Sequence, residues 1–284
     1  MGNKILVNLF DSNFAHDNYS TAHQTSKHIE YVRGLMSFDD ITLFTDEWVN
    51  NEIVDRVKSR YKIGWLHEPY CLHPETYKKA QANRDKFDFI LTYDTDLLTD
   101  IPEKFRFCPY AGTWIDKADW GIKPKSKLCS MLIGSKMATE GHRIRHEIAE
   151  MIEANGFDVN FYGAKGTPTE YGQSAKLTSL SDYCFSIVTE TCREDNLFTE
   201  WLLDCFALGT IPIFWGASNI YRYFDYEGII QFDTVDRLYK ILADLDWSNK
   251  YRKRLNNVYE NLGRVKDYAI TEDWIYENVL KELE

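Results

Sequence analysis

The sequence predicts an α/β fold of two Rossmann-like domains facing each other across a cleft. Three observations carry this. Short apolar, β-branched runs alternate with helical stretches, the pattern of βαβ units and a parallel sheet. The alternation breaks over Phe107 to Lys125 and then restarts. Polar clusters follow the apolar runs, and open α/β sheets bind ligands beyond the carboxyl ends of their strands.

The elements follow in order. "KILVNLF" reads as a strand, Thr21 to Met36 as a helix, "ITLFTD" as a strand and Glu47 to Arg60 as a helix. "KIGWLHE" is a strand, a helical turn follows Pro74, and "FDFILTY" is a strand again. Pro109, Gly112, Gly121 and Pro124 punctuate the aperiodic linker. Beyond it "KPKSKLCSMLIGS" leads into a strand, and Thr139 to Asn155 has Ile144, Ile148, Met151 and Ile152 on one side of a helix that Gly156 stops. "DVNFYG", "YCFSIVTE", "TIPIFWG" and "GIIQF" are strands. Leu197 to Leu208 and Thr234 to Leu245 are helices, and two helical stretches close the chain. The expected domains are 1–115, 124–265 and a terminal helix, 266–284, packing back on the first.

Composition narrows the function. Hydrophobic residues make up 44% of the 284, enough to build full cores. The net charge of −11, with no basic block, excludes a phosphate-reading nucleic-acid binder and disfavours anionic membranes. The chain shows no signal peptide and no apolar run of about 18 residues, so no membrane insertion and a cytoplasmic setting are expected. The six cysteines form no C-x-x-C pair and read as reduced thiols. No G-x-G-x-x-G follows the first strand, which counts against a dehydrogenase.

The most informative stretch is "ETCREDNLFTEWLLDCFALGTIPIFWGA", Glu190 to Ala217. Polar residues crowd the approach to an apolar helix. Asn196 suits its N-cap, and the free N–H groups of the first turn suit a phosphate. Glu200 in that turn could accept from ribose hydroxyls or merely complement the helix dipole.

The order strand, Glu190, polar loop, Phe198-Thr199-Glu200, apolar helix, Gly209-Thr210-Ile211-Pro212 and Trp215-Gly216 resembles the donor-binding segment of the α-1,3-fucosyltransferases, glycosyltransferase family 10. The resemblance extends to "KLTSLSDYCF" with Lys176, to Arg145 on its helix, to "VNFYGAKG" with the turn at Gly163, and to "IGWLHEP" with Glu68. It departs at Thr191, Cys184 and Trp201, where the family has Asn, Lys and Lys.

The resemblance implies a GT-B architecture and an inverting transfer of a sugar from a nucleotide-sugar to a glycan hydroxyl. The co-substrate is GDP-fucose or, given the departures, a UDP-sugar such as UDP-xylose. No prosthetic group or metal is implied. Donor contacts fall to Arg145, Gly163, Lys176, Glu190, Asn196, Phe198, Thr199 and Glu200. Arg193, in the loop before the helix, either stands in for the cation lost at Trp201 and grips the donor phosphate, or pairs with Glu194 or Asp195 while Trp201 packs in the core. Glu68, by its place at a strand end either a general base or a surface-turn carboxylate, is the general base by resemblance. The alternative is a non-catalytic binder of nucleotide-sugars or glycans that retains the fold.

Other features carry two readings each. Asp11 and Asn13, in the polar loop after the first strand, bind acceptor hydroxyls or belong to a plain loop. His67 and His73 beside Glu68 read as polar rim residues, with His67 a possible acceptor contact. Asp94 and Asp96 in "YDTDLL" form a metal motif or a helix cap, the second being favoured. The acidic residues from Glu272 onward read as a solvated helix face.

Overall fold

The computed structural model describes residues 4–12, 14, 18–170, 172–244 and 247–283; Asn13 lies outside them. The chain divides into two compact units. One comprises Met1–Tyr110 with Ile270–Glu284, the other Ala111–Ala269.

The first unit contains β1 (Ile5–Phe10), β2 (Ile29–Arg33), β3 (Ser37–Thr45), α1 (Ile53–Arg56), β4 (Lys58–Trp65), α2 (Pro74–Asn83), β5 (Phe89–Thr92), α3 (Thr95–Asp100) and β6 (Phe105–Phe107). The second contains β7 (Lys127–Ile133), α4 (Glu140–Asn155), β8 (Val159–Gly163), α5 (Gln173–Leu180), β9 (Tyr183–Thr189), α6 (Glu200–Ala207), β10 (Ile211–Trp215), β11 (Ile230–Gln231), α7 (Val235–Ala243), α8 (Trp247–Lys253) and α9 (Leu255–Arg264). The last helix, α10 (Thr271–Asn278), returns to the first unit.

Both sheets are parallel throughout. The first has the order β2-β1-β3-β4-β5-β6 and the second β8-β7-β9-β10-β11. In each, the first strand is flanked by the second and the third, so the order in which strands are added reverses there and a crevice opens beyond the strand ends. In the second unit that switch point lies between β7 and β9. The central strands are buried on both faces, β9 almost completely, as a sheet covered by helices on both sides requires. One core packs α4 and α7 side chains on the sheet; a second gathers Phe198, Phe206, Phe214 and Phe224 around α6. In the first unit Val7, Leu43, Ile63 and Leu91 of the sheet meet Ile275 and Leu280 from the closing segment.

Three expectations are corrected. Thr21–Met36 is not a helix. Ile29–Arg33 is the edge strand β2, pairing residue by residue with β1 and ending at the left-handed Gly34 (φ 72°). Glu47–Arg60 holds a 3-10 turn over Asp46–Asn50 and the short α1. From Lys58 the chain is already β4, drawn into register with Ser37 of β3. The residues from Glu272 are not all solvated. Glu272 is fully buried and accepts the Ser20 N–H at 2.7 Å, because α10 packs its inner face on the first sheet.

The interdomain segment is strapped to the second unit. Gly112 and Thr113 donate to the Tyr268 and Ala269 carbonyls, Gly121 donates to that of Ala207, and Ile115 is fully buried. The six cysteines are free thiols. Among the described residues no helix is long and apolar enough to cross a membrane.

Candidate active site

The site is built from the switch point of the second unit. Thr139 caps α4 by accepting the His142 N–H, and Gly156 ends it in the left-handed region (φ 66°). Gly141, in the first turn, donates to the Thr191 carbonyl at 3.1 Å, and a Cβ there would lie 1.8 Å from the Glu190 oxygen. Only glycine permits so close a docking of α4 on the end of β9. One turn later Arg145 therefore reaches Thr189: Nε donates to Oγ1 at 3.1 Å and Nη2 to the carbonyl at 2.9 Å. Its third nitrogen, Nη1, faces Gly134 at the end of β7, where a Cβ would come within 3.5 Å. Burial pulls the guanidinium pKa down, and Glu190 and Glu200 oppose that. It stays a cation.

Glu190 continues β9 and is fully buried. Its carboxylate accepts the Thr199 N–H at 3.0 Å and the Thr199 hydroxyl at 2.8 Å. Thr199 is the N-cap of α6, since its Oγ1 in turn accepts from the Trp201 N–H. Asn196, expected as the cap, sits three residues too early. It takes a left-handed turn (φ 66°), and its side-chain oxygen accepts from Asn219 and the Tyr223 hydroxyl. The Phe198 ring is fully buried against Tyr223, Phe224 and Tyr268, so packing occupies it. Glu200, half-buried, opens the helix.

Burial pushes the Glu190 pKa up to about 7, against the lowering effect of the Thr199 bonds. A carboxyl that is neutral in the fold adds stability that is full below its unfolded value of 4.5 and is lost as pH rises through about 7. Glu190→Gln removes this titration. The melting temperature of the variant relative to the parent should therefore rise between pH 5 and pH 8. Asp46, Asp204 and Glu272, also raised by burial, titrate in both proteins and cancel in the comparison. A difference that stays constant with pH would show that Glu190 is ionised throughout.

Trp201, where a Lys was expected by resemblance, collects two cations. Arg145 Cζ lies 4.8 Å and Lys176 Nζ 3.9 Å from its ring centroid. Lys176, 3% exposed, also pairs with the buried Asp204 at 3.4 Å. The other Asp204 oxygen accepts the Trp114 N–H at 2.9 Å. Sequence reading missed Asp204 and Trp114, because an Asp inside an apolar helix gives no sign of what it faces. Gly163 acts through its backbone: it is left-handed (φ 79°), and a Cβ would lie 2.5 Å from the Ile133 oxygen. Arg193 is exposed, 5.9 Å from the Trp215 ring centroid, and lines a cavity of about 170 Å³ with Gly216, Ser218, Gln231, Phe232 and Arg237.

In the first unit Glu68 lies just beyond β4, half-buried. Its N–H and that of His67 both donate to one oxygen of Asp46, at 2.9 and 2.8 Å, and the Tyr77 hydroxyl donates to its carbonyl at 2.7 Å. Asp46 was read only as the end of a strand. His67 is not a rim residue. It is 6% exposed and stacks on Tyr110 at 4.5 Å. Asp11 is held by Arg33 at 3.1 Å and accepts the Phe14 N–H. Asp94 caps α3, accepting from Leu97 at 2.9 Å.

Comparisons with known proteins bear on this geometry. The sequence model of glycosyltransferase family 10 (fucosyltransferase), C-terminal part, matches residues 122–262. An α1,3-fucosyltransferase solved with GDP aligns at 15% identity and a TM-score of 0.59, over 99% of this chain and 89% of that one. The same kind of enzyme with GDP-fucose gives 14%, 0.57, 91% and 82%. An α-glucosyltransferase with UDP-glucose and DNA containing an abasic site gives 14%, 0.53, 86% and 80%. These structural likenesses show a shared GT-B fold.

Proposed function

We infer from the family 10 match over residues 122–262 that the chain is a glycosyltransferase of the fucosyltransferase type, and we propose that it moves fucose from GDP-fucose to a glycan hydroxyl with inversion. The acceptor oxygen attacks the anomeric carbon. The bond to the β-phosphate oxygen breaks, its electron pair leaves with GDP, and the acceptor proton passes to Glu68. Negative charge grows on the departing diphosphate, where Arg145 supplies a fixed positive charge that needs no reorganisation during the reaction. Arg193 is the second cation of this reading. Glu200 accepts from the ribose hydroxyls.

The observation that supports this most is Arg145. Two of its nitrogens are committed to Thr189, and Nη1 is left facing the glycine at the switch point. With arginines carrying the charge, the reaction runs without a divalent metal.

The test is a panel of nucleotide-sugars, including GDP-fucose and UDP-xylose, against oligosaccharide acceptors, with and without EDTA. The expected result is GDP release coupled to fucose transfer at equal rates in both buffers. Loss with EDTA that Mn restores would overturn the metal-free step. Preference for UDP-xylose would reassign the donor. Nucleotide-sugar binding without turnover of any donor would make the protein a binder.

A further inference from the structure

Nothing in the reading above uses Asp46, yet its geometry is specific. It follows the last residue of β3 with φ of 45°, the left-handed region that few residues other than glycine enter and that Asp enters more readily than most. What it holds is the segment just past β4. A single oxygen, Oδ1, takes the N–H groups of both His67 and Glu68. These residues lie two and three positions past Trp65, the last residue of β4.

We propose that Asp46 is a positioning residue for Glu68, fixing the backbone from which that carboxylate projects. This rests on Glu68 being the base.

The groups facing Asp46 are Glu47 on its own turn and His67 and Glu68 beyond β4; Tyr77 of α2 reaches the Glu68 carbonyl. Burial first, then the charges of Glu68 and Glu47, push the Asp46 pKa up to about 7, while the two backbone bonds work against the shift. Asp46 thus keeps its proton at mildly acid pH and ionises as pH rises through neutrality.

Two variants separate the roles. Asp46→Asn cannot ionise but keeps the accepting Oδ1, so the segment just past β4 stays anchored. Its kcat should therefore stay within about threefold of the parent's, with Kd for GDP unchanged. Asp46→Ala removes the acceptor. Its kcat should fall about 10²-fold, the scale of a misplacement of roughly 1 Å, again with GDP binding unchanged. Transfer is measured with GDP-fucose and the best acceptor of the panel, beside Glu68→Gln. If Glu68→Gln is inactive but Asp46→Ala keeps the parent's kcat, or Asp46→Asn loses as much as Asp46→Ala, the anchor does not act on the base and the inference falls. If Glu68→Gln itself stays active, the base reading falls and takes the inference with it.

Discussion

Glu68→Gln is expected to lower the transfer rate by about 10²–10⁴-fold, the usual worth of a general base, while leaving GDP affinity within about twofold of the parent. Glutamine matches glutamate in size, and both anchors of residue 68 are backbone groups: its N–H on Asp46 and its carbonyl under the Tyr77 hydroxyl. Neither is touched by the change. What disappears is the capacity to take a proton. The residues proposed to hold the donor belong to the other unit, within Ala111–Ala269, so their own bonds are intact. Initial rates and calorimetry with GDP, on the same preparation, read the two quantities separately. Turnover within about threefold of the parent would remove Glu68 from the mechanism.

Arg145→Ala should weaken GDP binding by about 1.5–3 kcal/mol, roughly ten- to a hundredfold in Kd, and slow transfer at least as much. The loss has a structural component, because Arg145 also binds Thr189 and lies over Trp201. Guanosine separates the two. It lacks phosphate, so its affinity should be unaffected if Arg145 acts on the diphosphate, and should fall with that of GDP if the site has merely collapsed. Arg145→Lys should recover only part of the loss. A Lys presents one compact charge and cannot bond Thr189 twice while aiming a third donor at Gly134. GDP affinity unchanged in Arg145→Ala would move the phosphate elsewhere in the fold.

Much of this protein follows from its sequence alone. The limits of α4 are written in Thr139 and Gly156, which act on their immediate neighbours. The strands of the second unit were legible because β9 and β10 are buried on both faces and read as unbroken apolar runs. The order of Glu190, Thr199, Glu200 and Gly209-Thr210 along the chain marked the same segment that the family match covers.

What tertiary structure decided involves partners distant in sequence. Ile29–Arg33 is a strand because β1 lies beside it, although nothing within ten residues rules out a helix. Asn196 has a good cap's chemistry, but Asn219 and Tyr223 claim its side chain, and Glu190 orients Thr199 to cap instead. Trp201 looks like the loss of a cation until the fold brings Arg145 and Lys176 over its ring. Asp46 reads as the end of one strand until the segment just past β4 offers it two N–H groups from 21 and 22 residues away. Caps, turns and apolar runs are settled by neighbours within about a turn of helix, so the sequence displays them. A buried polar group is settled by whichever group the fold sets opposite it, because leaving it unpaired costs about 1–3 kcal/mol.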